Sequence, residues 1–146
     1  MPYIQSELQL ASDLRTLITR LIKKLRNESA TGASLSLTER STLALLDQHK
    51  ELLPNELAAM EKITTQSMSQ ILSHLLVLGY ISRRISNTDK RKSIISLTTA
   101  GKQILYKVRN ERDEWLRKAL RETCSAREQI LLRRATALLT RLVNFD

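Results

Sequence analysis

Residues 64–97, TTQSMSQILSHLLVLGYISRRISNTDKRKSIISL, change their period halfway along. Up to Leu78 the apolar residues Met68, Ile71, Leu72 and Leu75 recur at steps of three and four, one face of an α-helix. Thr64 offers that helix a hydroxyl N-cap, and Gly79 is placed to end it as a C′ residue. Beyond Gly79 the period falls to two. Ile81–Ile85 and Ser93–Leu97 are short β-type runs, and the turn NTDKRK between them makes a hairpin. The hairpin carries Arg83, Arg84, Lys90, Arg91 and Lys92 against a single acid, Asp89.

The segments on either side are helical. From Leu10 to Leu25, Leu10, Leu14, Leu17, Leu21 and Leu25 with Ala11, Ile18 and Ile22 trace a broad apolar stripe. The small polar stretch Asn27 to Ser36 reads as a loop, after which Thr38 is the expected N-cap of a second helix ending near His49. A short break follows. Pro54 then suits the first turn of a two-turn third helix, where its missing N–H leaves nothing unpaired. After the hairpin, Thr98 is expected to cap a long helix through Ile104, Val108, Trp115 and Leu120. Ser125 with Glu128 forms a capping-box pattern opening a last helix whose stripe is Leu131, Ala135, Leu138 and Leu142. The predicted fold is mainly α, in the order α–α–α–α–β–β–α–α, within a single domain spanning 1–146.

Bulk properties narrow the function. The 146 residues carry a formal charge of +9, which points to a polyanionic partner, nucleic acid before an acidic membrane surface. The densest basic segment is the hairpin. Cys124 is the single cysteine and His49 and His74 the two histidines, too few for a zinc-ligand cluster or an internal disulfide. No apolar run reaches the length of a membrane span, and the N-terminus lacks the pattern of a signal peptide, so a reduced cytoplasmic setting with no membrane partner is expected. The sequence contains no Gly-rich phosphate loop, no HExxH and no nucleophile–histidine grouping in a supporting motif, so an enzyme is not expected and no cofactor is implied.

A short helix, a turn, a second helix with a polar outer face and then a hairpin form a winged helix-turn-helix, in which the second helix enters the major groove of DNA. On a helical wheel, Gln66, Ser69, Gln70 and Ser73 lie opposite the apolar side, with His74 at the margin. Gln pairs well with adenine, Ser and Thr are less selective, and the N–H groups around Thr64 to Ser67 can hold a phosphate. Polar outer faces and Lys- or Arg-decorated edge strands are each ordinary surface features when alone. Both together, adjacent and in this order, favour DNA binding.

The segment from Asn55 to Gly101 resembles the core of the MarR family of winged-helix regulators. The resemblance rests on Leu57-Ala58 in the third helix, LxxLGYI at Leu75 to Ile81, Arg83-Arg84 entering the hairpin, DxR at Asp89 and Arg91, and LTxxG at Leu97, Thr98 and Gly101. It implies a winged-helix part at 38–100 and dimerisation helices at 5–30 and 101–146, interwoven in a homodimer on a pseudo-palindromic double-stranded site. It also implies that Thr64, Thr65, Gln66, Ser67, Ser69, Gln70, Ser73 and His74 face DNA from the recognition helix. From the wing, Arg84, Lys90, Arg91 and Lys92 would do so, with Arg91 in the minor groove and Asp89 orienting the wing by pairing with a neighbouring Arg. One departure stands out: residues 63–82 contain no Lys or Arg, so guanine reading by this helix is not expected.

The resemblance further implies a repressor released by a small amphipathic or phenolic effector, for which His49, Tyr106 and Trp115 are candidate pocket residues. Peroxide sensing through Cys124 is a competing reading, as is a winged-helix module for non-specific DNA or a protein partner. A lone thiol ahead of a helix N-cap is more often inert.

Overall fold

Helix caps divide the chain. The computed structural model describes residues 2–146, leaving only the first residue of the predicted 1–146 domain outside it. α1 (Pro2–Glu28) leads through a 3₁₀ turn at Thr31–Ser34 to α2 (Leu37–His49), β1 (Glu51–Leu52) and α3 (Pro54–Glu61). There follow α4 (Thr65–Val77), β2 (Ile81–Ile85), β3 (Ser93–Leu97), α5 (Thr99–Thr123) and α6 (Ala126–Val143). Thr64, Thr98 and Ser125 cap their helices as expected, accepting the N–H of Ser67 at 3.1 Å, Gly101 at 3.0 Å and Glu128 at 3.2 Å.

Three expectations are corrected. The cap of α2 is Ser36, not Thr38: Ser36 Oγ accepts the Glu39 N–H at 3.1 Å while Glu39 Oε2 accepts the Ser36 N–H at 3.0 Å. This reciprocal box satisfies two N–H groups where a Thr38 hydroxyl would satisfy one. The order also gains a strand in the expected break after His49. β1 pairs antiparallel with β3, Glu51 opposite Ser96 and Leu52 opposite Ile95, giving a three-stranded sheet in the order β1-β3-β2. Two residues are too few to show a period, and Leu52 is recognisable only by being buried on the face of Ile95. Finally, the stretch Asn27 to Ser36 is not all loop: α1 continues through Asn27 and Glu28, and Thr31–Ser34 form a 3₁₀ turn.

The core lies where α2, α3, α4 and the sheet meet. Leu43, Leu46, Leu57, Met68, Leu72, Leu75 and Ile95 are each at most 1% exposed. Burying a side chain of this kind is worth about 1.5–3 kcal/mol, which is what holds α4 by its apolar face and leaves its polar face outward. The outer helices differ. α1 lies along α5, and no residue of α6 is buried. Leu131 and Leu142, on the predicted stripe, are 61% and 60% exposed. α6 is tied to its own chain at its first turn, where Gln129 Nε2 donates to Leu120 O at 3.3 Å and Cys124 O at 3.1 Å.

Two polar junctions fix the helices to one another. The Glu111 carboxylate on α5 accepts from Thr31 Oγ1 at 2.5 Å and from Ser29 Oγ at 2.7 Å, holding the end of α1. Those hydroxyls draw the carboxyl below the usual range of a glutamic acid. At the other end of α5, Thr98 N donates to Tyr80 O at 3.1 Å and Thr98 Oγ1 to Gly79 O at 2.6 Å. A Cβ on Gly101 would sit 2.0 Å from Tyr80 O.

Gly101→Ala should therefore destabilise the protein by about 1–3 kcal/mol, the usual cost of overpacking, because backbone must move. Chemical denaturation checks this against Gly79→Ala. Gly79, at φ +77, has open space around it, so its substitution should cost only about 1 kcal/mol of left-handed strain. For Glu111 the depressed pKa favours the charged form in the fold. Its contribution is full above the ordinary glutamate value of about 4.3 and is lost as pH falls through the folded value. Glu111→Gln should lower Tm at neutral pH, and the gap to the unaltered protein should close as the pH of the melts is lowered.

Candidate nucleic-acid interface

The arrangement of the core decides what α4 presents. With Met68, Leu72 and Leu75 inward, Thr64, Thr65, Gln66, Ser67, Ser69, Gln70, Ser73 and His74 are all exposed. The first turn is organised by the cap, since Thr64 Oγ1 also donates to Ser67 Oγ at 2.9 Å. Ser73 Oγ donates back to Ser69 O at 2.9 Å, so its remaining lone pairs face out as acceptors. Gln66, Ser69 and Gln70 stand free of charge in their own helix.

The wing is a closed turn. Ser86 N donates to Lys92 O at 2.9 Å and Lys92 N to Asp89 O at 3.0 Å. Ser86 Oγ accepts the N–H groups of Thr88 and Asp89, both at 3.3 Å. Asp89 Oδ1 takes the Arg91 N–H at 3.0 Å and Arg91 Nε at 3.4 Å. The sequence left the Arg partner of Asp89 unnamed; here Asp89 pairs with Arg91. The Arg91 side chain remains 92% exposed. The acid fixes the root of Arg91 while the guanidinium projects, and Lys90 and Lys92 are exposed on either side.

Between wing and helix lies a cleft of about 370 Å³, bounded by Pro54 and Asn55 at the start of α3, Thr65 at the start of α4, and Arg91, Lys92 and Ser93. Two helix N-termini and two cations converge on it, a field suited to phosphate. Pro54 and Asn55 were not predicted as site residues. Their helix start was legible, but its approach to the wing depends on β1 bringing α3 alongside.

Two predicted DNA contacts are otherwise engaged. His74 Nδ1 lies 2.7 Å from Glu39 Oε1, the same carboxylate that caps α2. Arg84 Nη2 donates to both oxygens of Glu51 at 3.0 and 3.1 Å. Glu39 is marked by its spacing only as the partner of Ser36 in the cap, and nothing in the sequence marks either acid as a partner of His74 or Arg84.

The three candidate pocket residues do not share one wall. The Tyr106 hydroxyl donates to Asp47 Oδ1 at 3.0 Å near the end of α2, close in sequence to exposed His49. That bond, with burial and the Asp47 charge, pushes the phenol above its ordinary value. Trp115 lies nine residues on, half a helical turn out of phase with Tyr106, and Lys24 Nζ stands 5.7 Å over its ring. Cys124 is half-buried in the α5–α6 turn, with Thr123 Oγ1 3.6 Å from its Sγ. Among the described residues no group of histidines, cysteines and acids can hold a metal ion, and no helix is long and apolar enough to cross a membrane.

A recognition helix whose polar face is held outward by the core, next to a basic wing on the same side, defines a winged-helix DNA-binding transcriptional regulator. Comparison with known proteins narrows this. The MarR family profile matches residues 33–92. An HTH-type transcriptional regulator of Mycobacterium bovis, Mb0904, is 30% identical over 97% of this chain and 97% of its own. A Pseudomonas aeruginosa protein assigned as a transcriptional regulator has a crystal structure that superposes with a TM-score of 0.86 at 32% identity, covering 96% of this chain and 98% of that one. A mutant of Escherichia coli MarR, crystallised with operator DNA, shares the fold at a TM-score of 0.62 and 22% identity, over 87% and 93% of the two chains. The chain belongs to the MarR family of transcriptional regulators.

Proposed function

We propose that the protein is a homodimeric repressor that reads a pseudo-palindromic operator and leaves it on binding a small amphipathic effector. The observation that carries the DNA part is the exposed, uncharged face of Gln66, Ser69, Gln70 and Ser73 on α4, set beside a wing of Lys90, Arg91 and Lys92. On this reading α4 of each subunit lies in a major groove, the two grooves about one helical turn (roughly 34 Å) apart. The helix supplies base contacts and the wing supplies backbone and minor-groove contacts. With no Lys or Arg in residues 63–82, preference should lean to A·T pairs or to DNA shape. Occupancy by two subunits covers the site, so repression is the expected sign.

Dimerisation is supported by the apolar stripes of the outer helices. Leu17, Leu21, Leu131, Leu138 and Leu142 are all exposed, and stripes of this extent are costly in water unless covered. Residues 5–30 and 101–146 are the proposed interface, with 38–100 as the DNA-binding part. The protein should sediment at twice the 16.7 kDa chain mass and unfold with a midpoint that rises with concentration. A concentration-independent monomer would overturn this part of the proposal.

Wing and helix should fail differently when truncated. Arg91→Ala should weaken binding to operator and random duplex alike and lower the salt slope by about one unit per half-site. Gln70→Ala should cost about 1–3 kcal/mol per half-site on the selected operator and little on random DNA, flattening preference at one symmetric position. Binding isotherms on both duplexes at several salt concentrations test the pair. A winged-helix module of non-specific use would show less than a roughly thousandfold preference for any selected site.

A further inference from the structure

Two side chains that sequence position would assign to DNA, His74 on the recognition helix and Arg84 on the wing, instead each meet an acid. The two acids lie at opposite ends of α2. Glu39 is in its first turn and Glu51 two residues beyond its last residue. The Glu39 side chain is only 12% exposed, and its two oxygens are divided between the Ser36 N–H and His74 Nδ1. It therefore ties the outer face of α4 to the cap of α2. At the other end, Glu51, Ser96 and Ser82 form one row across the sheet, and the two serine hydroxyls are bonded at 2.9 Å. Arg84 is two residues on from Ser82 and so on the same face. Its guanidinium reaches back over β3 to hold both Glu51 oxygens.

We propose that α2 is a bracket setting the distance and angle between recognition helix and wing, with His74 and Arg84 as positioning residues that act through Glu39 and Glu51 rather than by touching DNA. α2 is anchored in the core by Leu43 and Leu46, each at most 1% exposed, so it is the rigid member. Helix and wing must reach adjacent grooves together, and an error in their relative angle weakens both contacts at once. The bracket rests on the operator-binding reading given above. It adds that the residues setting affinity include two acids that make no contact with the nucleic acid.

The two roles predict opposite signs. Were Arg84 a phosphate contact, Glu51→Gln would free it and tighten binding, and Arg84→Ala would lower the salt slope by about one unit per half-site. As a positioning pair, Glu51→Gln and Arg84→Ala should each weaken operator binding roughly two- to tenfold, the scale of a part-exposed ion pair counted in both subunits. The double variant should be no worse than either single, and the salt slope should be unchanged. Glu39→Gln, which keeps the capping box, should match His74→Ala in the same way, with the order of base preferences unaltered. Thermal melts run alongside confirm that each variant is folded at the assay temperature; should Glu39→Gln melt below it, His74→Ala alone decides that arm. Tighter binding by Glu51→Gln, a lowered slope for Arg84→Ala, or loss of preference at one base in His74→Ala would overturn the bracket. If the unaltered protein selects no duplex at all, the operator reading itself falls and the bracket with it. Variants that fail on a protein that does select its site count against the bracket alone.

Discussion

The close passage of α5 over the turn at Gly79 and Tyr80 is the constraint on which the rest depends. Four element ends meet there: the last turn of α4, the start of β2, the end of β3 and the first turn of α5. Thr98 bonds both carbonyls of the turn, at 3.1 Å to Tyr80 and 2.6 Å to Gly79. Gly101 lets the helix come down onto the Tyr80 carbonyl. If this junction opened, the hairpin would lose its angle to α4 and the long helix its origin. The LTxxG signature is thus a steric requirement before it is a family mark.

From that point the chemistry of the interface follows by subtraction. The core takes Met68, Leu72 and Leu75 of α4, the bracket takes His74 and Arg84, and the wing turn takes the backbone of Arg91 through Asp89. What is left pointing outward includes a short set of neutral hydrogen-bonding side chains on the helix and four cations on the hairpin, Arg83, Lys90, Arg91 and Lys92. On the proposed function, affinity and selectivity are therefore carried by different elements. The cleft between Pro54, Thr65 and Lys92 lies at the seam where the two meet.

Much of this was legible in the sequence, for physical reasons that can be named. The change of period at Gly79 gave the helix and hairpin their correct ends, because a helix face and a strand face leave different spacings. Thr64, Thr98 and Ser125 marked helix starts because an unpaired N–H needs a hydroxyl. The α2 cap lies two residues before the expected Thr38, because Ser36 and Glu39 form a reciprocal pair that a lone threonine hydroxyl cannot match. β1 left no trace, since a strand of two residues has no period and owes its existence to β3, far away in the chain. The engagement of His74 and Arg84 was equally hidden, because their acid partners lie 35 and 33 residues distant. Position on the helix made His74, and charge on the hairpin made Arg84, look like nucleic-acid contacts.

The sparse attachment of α6 has a consequence for how this molecule can be observed. Its 18 residues are tied to their own chain at the first turn, through Gln129. Most of a helix's stability in a protein comes from packing of its apolar face rather than from its own propensity. The backbone amides of residues 126–143 then act as a gauge of coverage: their hydrogen exchange slows only while another surface shields the apolar stripe. Slow exchange in the last helix would report that its stripe is covered, as the proposed dimer requires.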